Sequence, residues 1–142
     1  MNLIWGMILL VLSLIGWIGQ VITVFRPVTA AKMGLTEPEA NVDPTFFADA
    51  RGEAIWDAVS LWTLTVAAIL LILDNPSWAY FGLVGSGSYL YFAGRGTVVR
   101  LVMQRRGIRI GLPQNLKVIR VFLTLWGLMA IGTIVLAVNT IM

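Results

Sequence analysis

The sequence predicts an all-α integral membrane protein, a four-helix bundle with both termini on the non-cytoplasmic side. Three observations carry this expectation. The 142 residues are 58% hydrophobic and 12% charged, where a soluble domain holds about 25% charged and about 45–50% apolar residues. The apolar residues gather in four runs, near 3–25, 54–73, 78–99 and 118–141, each close to the roughly 20 residues that cross a hydrocarbon layer as a helix. If each run crosses once, all ten Lys and Arg fall on one side.

That asymmetry sets the expected orientation. The first loop and its flanks hold Arg26, Lys32 and Arg51. The second holds or borders Arg95, Arg100, Arg105, Arg106, Arg109, Lys117 and Arg120, while the opposite side offers Asp74 and no base. Cytoplasmic loops carry the Lys/Arg excess, so loops 26–43 and 106–117 are read as cytoplasmic. The expected location is multi-pass in a membrane such as the bacterial inner (cytoplasmic) membrane. The net charge of +3 is read as a topology signal, not as affinity for nucleic acid.

The first run is too long for a cleavable signal. It spans about 23 residues with no basic segment before it, where the apolar part of a signal runs to roughly 7–15. Ser13, Gly16, Gln20 and Thr23 recur at spacings of three, four and three, and so share one helical face. Such a face turns toward other helices in lipid. Pro27 disfavours helical geometry at Arg26 and ends the run.

The first loop carries Thr36-Glu37-Pro38-Glu39, a capping-box pattern that predicts a short helical turn. Asp43-Pro44 reads as an N-cap followed by proline at the first helical position. One long helix is expected from about Pro44 to Leu73. Asn75-Pro76 repeats the capping pattern, so the two middle runs should form an antiparallel hairpin. The third run is rich in glycine at Gly82, Gly85, Gly87, Gly94 and Gly96. It contains no Gly-x-Gly-x-x-Gly, and close helix packing is the expected role. Gly107 should stop the helix, and Pro113 suits the start of the fourth.

Composition excludes much chemistry. The chain has no cysteine and no histidine. There is no thiolate nucleophile, disulfide or CxxC pair, no His-ligated metal or haem, and no Ser-His-Asp triad. No metal site and no cofactor are expected.

One constellation stands out at the cytoplasmic ends of the runs. Glu53 and Asp57 lie four residues apart and Ser60 continues their face. Arg95 and Arg100 lie at the matching end of the third run, Arg120 and Thr124 at the start of the fourth, and Gln20 near the end of the first. Together they form a candidate polar vestibule over an apolar plug. Its arginines suit an anion clamp, and its acids suit ion pairing or acid–base work. Arg105, Arg106 and Arg109 are read as lipid head-group contacts. Tyr89, Tyr91, Trp17, Trp62 and Trp126 are read as packing or interface residues.

The layout is similar to the MAPEG family of small four-span enzymes that use glutathione. The likeness rests on length, outward termini, and a second helix that opens at Asp43-Pro44 and closes at Asn75-Pro76. It implies a trimer with thiol-peptide sites between subunits, and an acidic role for Asp57. The stretch Ala50-Arg51-Gly52-Glu53 lacks the asparagine of that family's Arg, Asn, Glu order. The expected function is therefore a non-catalytic accessory or scaffold subunit, or a lipid-binding membrane protein. Membrane lipids and either a homo-oligomer or a larger complex are its expected partners. The alternative is an enzyme acting on an amphipathic substrate at the cytoplasmic interface through Glu53, Asp57 and the arginines.

Overall fold

A computed structural model describes residues 2–142. These residues are all-helical, without a strand among them. Helix α1 spans Asn2–Phe25 and α2 spans Pro27–Lys32. A single 3-10 turn, Glu39–Asn41, precedes α3 (Pro44–Ser60) and α4 (Trp62–Ile72). Then come α5 (Trp78–Arg105) and α6 (Pro113–Ile141). Three stretches, Asn2–Phe25, Pro44–Ile72 and Pro113–Ile141, are long and apolar enough to cross a membrane. Helix α5 has the length, at 28 residues, but its glycines, serines and Arg95 leave it outside that group.

Local chemistry sets most boundaries. The Asp43 carboxylate accepts from the Thr45 N–H at 2.8 Å, with Pro44 in the first turn of α3. Asn75 Oδ1 accepts from the Ser77 N–H at 2.9 Å ahead of α5. At the end of α5, Ile108 N–H donates to Met103 O and Gly107 N–H to Gln104 O. This is the Schellman arrangement, with Gly107 in the left-handed region at φ 75°. Asp74 takes the same conformation, φ 51°, at the end of α4.

The first loop is more ordered than its sequence suggests. Proline at the first position of α2 has no N–H to lose, so Pro27 ends α1 and at once starts α2. The long helix expected from about Pro44 to Leu73 runs as α3 and α4, which meet at Leu61, whose N–H still donates to Asp57 O at 2.9 Å. Nearby, α5 presses hardest on α4. A Cβ on Gly85 would lie 2.5 Å from Leu64 N and 2.6 Å from Leu64 Cα.

Helix α4 lies between α1 and α5, and α5 packs along α6. The main core joins Leu9, Leu61, Leu64, Tyr89, Phe92 and Trp126 with their neighbours. Ser13 and Thr65 bridge α1 to α4 through their hydroxyls at 3.1 Å. The α1 and α6 backbones approach each other little, and large side chains fill the seam. Trp126 Nε1–H donates to Leu12 O at 2.8 Å, and Trp5 reaches Gly132. The outward surfaces carry large apolar side chains, among them Ile4, Val11, Val84, Leu128 and Ile131.

The two basic loops meet at one end. Asp43 N–H donates to Arg109 O at 2.7 Å, and the Arg109 guanidinium reaches Ala40 O at 3.3 Å. Asn115 Nδ2 donates to Glu37 Oε2 at 3.2 Å. Val42, Phe46, Ile110 and Leu116 form an apolar cluster beneath. At the other end of α1, Asn2 donates to Asp74 at 3.3 Å, which sets the N-terminal turn beside the α4–α5 connection.

Candidate functional site

Helix α3 places Asp49, Glu53 and Asp57 at successive spacings of four, so they stack on one face. Arg95 of α5 takes the two nearest the loops. Its Nη2 lies 2.6 Å from Asp49 Oδ1, and its Nη1 lies 2.8 Å from Glu53 Oε2 and 3.2 Å from Asp49 Oδ2. These are the only ion pairs among the described residues. A planar guanidinium gripping two carboxylates ties α3 to α5 and gives each acid a charged hydrogen-bond partner, with one positive charge shared between two negative ones. Asp49 completes this pairing and was not singled out from sequence. Its signal was present, since it continues the four-residue ladder by one turn.

Asp57 is different. It is 3% exposed, and its Oδ2 has no hydrogen-bond partner. It lines a groove of about 360 Å³ between α3 and α5, together with Trp56, Ser60, Gly87, Ser88 and Tyr91. Trp56 and Tyr91 stand largely exposed at its rim. A Cβ on Gly52, Gly87 or Gly94 would meet nothing within 4 Å. Of these, Gly87 lines the groove, whereas Gly16, Gly85 and Gly96 admit other parts of the chain.

The remaining predicted residues separate from the acids. Arg100, Arg120 and Thr124 line a second groove, of about 340 Å³, between α5 and α6. Arg100 Nη1 donates to Gly96 O at 2.9 Å, and its guanidinium sits 5.5 Å from the Phe46 ring centroid. Arg120 Nη2 donates to Gln104 Oε1 at 3.0 Å. Of the residues grouped from sequence, Asp57 and Ser60 line one groove, Arg100, Arg120 and Thr124 line the other, and Glu53 and Arg95 line neither. Arg95 and Arg100, five residues apart, lie about 140° from each other around α5, so only Arg95 meets the acids.

Gln20 lines neither groove. Arg51 instead occupies the end of α1. Its Nη1 donates to Thr23 O at 2.6 Å, where the carbonyls of a helix end lack partners and favour positive charge. Arg105 and Arg106 are exposed at the end of α5, whereas Arg109 is committed to loop carbonyls. Tyr89 is fully buried and donates its hydroxyl to Ser13 O. Trp17 donates to Ala58 O at 2.9 Å. Both are packing residues, as is Trp126. Trp62, by contrast, is 40% exposed.

Chemically, the paired acids fasten helices, Asp57 offers an acceptor without a donor, and the arginine groove offers donors without an acid. No family model, curated protein or solved structure matches the chain.

Proposed function

We propose that the chain is a four-span membrane protein whose α3–α5 face holds a transmembrane helix of another subunit, making it an accessory or scaffold component. On this reading α5 is the fourth span, the helices act as a four-helix bundle, and the basic loops face the cytoplasm. The supporting observation is Asp57: a buried carboxyl group, one oxygen unpartnered, on a groove that also holds Gly87 with nothing opposite it. In lipid such a group is costly, by roughly 2.5–3.5 kcal/mol at a helix centre on insertion scales. Glycine in a helix costs about 1 kcal/mol relative to alanine. A neighbouring helix that supplies a donor, and needs close approach, offsets both. A two-fold pair with Asp57 on its axis would set carboxylate against carboxylate; a partner that presents a basic or amide side chain to Asp57 supplies the missing donor.

The test is photocrosslinking from residue 87 in native membranes, with and without Asp57→Asn. A single crosslinked partner in the wild type, lost in the variant at unchanged thermal stability, is the expected result. An amphipathic small molecule retained in the groove, with turnover abolished by Asp57→Asn, would support the enzyme reading instead, because the same unpaired carboxylate is its natural acid.

A further inference from the structure

The groove between α5 and α6 carries a separate conclusion that does not depend on the partner-helix reading. Two acids and two arginines face one another at this end of α3 and α5. Arg95 takes both acids. Arg100 is left with a backbone carbonyl and the face of Phe46, and forms no ion pair. Arg120 is likewise without an acid among the described residues, and Gln104 holds it through its amide oxygen. That leaves the Gln104 Nε2 donors unspent. No Asp or Glu lines the groove.

The walls are apolar. Leu101, Leu116, Ile119 and Leu123 line the same 340 Å³ as Arg100 and Arg120. Gly96 makes the arrangement possible, because a Cβ there would lie 3.2 Å from Arg100 Nη1 and 3.1 Å from Leu123. Arg100 can therefore lie back along its own helix while lining the groove.

We infer that this groove is a phosphate-ester seat, occupied by the head group of an anionic phospholipid. The guanidinium forks suit phosphate oxygens, which accept paired N–H bonds. The leucine and isoleucine walls suit the glycerol and first acyl carbons below. The position, at the end where the basic loops gather, is where inter-helix pockets meet anionic head groups. A soluble phosphate ester would share the anion chemistry but leave those walls unused.

The experiment is native mass spectrometry of delipidated protein, titrated separately with phosphatidylglycerol, phosphatidylcholine and glycerol phosphate. One tightly held phosphatidylglycerol, preferred over phosphatidylcholine by about tenfold or more, is expected. The double variant Arg100→Gln, Arg120→Gln should weaken it by about tenfold or more, as loss of charge-assisted bonds implies. Arg105→Gln with Arg106→Gln, outside the groove, should change it less than about twofold. Should the first pair fold poorly, Thr124→Trp fills the groove with both arginines intact and must also weaken binding. Equal binding of glycerol phosphate would keep the anion seat and assign it to a soluble ester. Equal affinity for the two lipids, or equal losses from the two arginine pairs, would overturn the inference and leave only a diffuse basic surface.

Discussion

The Tyr89 phenol occupies the space that a side chain at Gly16 would need. A Cβ on Gly16 would lie 2.7 Å from the Tyr89 hydroxyl oxygen and 2.8 Å from Cε1. Tyr89 cannot yield easily, since it is fully buried between Phe92 and Trp126 and bonded to Ser13 O. Gly16→Ala should therefore destabilise the protein by about 1–3 kcal/mol, the usual cost of overpacking. Tyr89→Phe should cost about 1 kcal/mol for the lost hydrogen bond. Denaturation of the two variants in detergent checks both, and an unaffected Gly16→Ala would contradict the close α1–α5 contact.

A sharper contrast lies on α5. Gly85→Ala forces a methyl group into the Leu64 backbone, so it should abolish folding or move the hairpin apart. Gly87→Ala, two residues on, meets open space and should leave thermal stability unchanged or slightly raised, because alanine favours helix by about 1 kcal/mol. On the partner-helix reading, Gly87→Ala still lowers co-purification. Thermal melting and pull-down, measured on the same two variants, separate the internal role from the external one.

The Arg95 fork predicts a third asymmetry. Arg95→Gln leaves Asp49 and Glu53 near each other without a cation, and should destabilise by about 1–2 kcal/mol, limited because the arginine side chain is 29% exposed. Asp57→Asn keeps the shape of the side chain and replaces a buried acidic group that lacks a partner. It should leave the isolated protein as stable as the wild type, or more so. Equal losses from the two changes would mean that Asp57 is paired after all.

Arg51 offers a local test. Arg51→Met removes the donors at Thr23 O and Val24 O and the favourable charge at the end of α1. The expected loss is about 0.3–1 kcal/mol. Hydrogen exchange should rise in the last turn of α1 and stay unchanged in α6; a uniform rise would instead indicate general loosening.

Sidedness is open to a clean assay because the chain has no cysteine. Single cysteines at Asn115 and Asn139 should react with an impermeant maleimide from opposite faces of oriented vesicles, Asn115 from the cytoplasmic face. Labelling of both from one face would contradict the four-span reading.

Much of the helical layout was legible because it rests on local rules. Asp43-Pro44, Asn75-Pro76 and Gly107 each announce a helix end through their own backbone chemistry, and the stripe of Ser13, Gly16 and Thr23 is buried as its spacing implies. Gln20, on the same stripe, is only partly buried. Side-chain pairing was harder to read. Asp49 and Glu53 are equivalent on the α3 ladder, and only the rotation of α5 decides that Arg95 meets them while Arg100 turns toward α6. The packing of the two loops was also hidden, since Asp43 N–H to Arg109 O is a backbone bond between segments 66 residues apart in number. The apolar residues Val42, Ile108 and Ile110 were its only trace in sequence.

The contact between Gly85 and Leu64 also bears on how the chain enters the bilayer. Helix α5 carries Arg95 and too many small polar residues to partition well by itself, whereas α4 is strongly apolar. The two are joined by the short 73–77 connection and fit backbone to backbone. On the proposed four-span reading the two would leave the insertion machinery as one body, with α4 acting as the solvent into which α5 first dissolves. On that reading the glycine that permits the fit would serve biogenesis as well as packing, and damage there would strand α5 at the membrane surface before any fold exists to be destabilised.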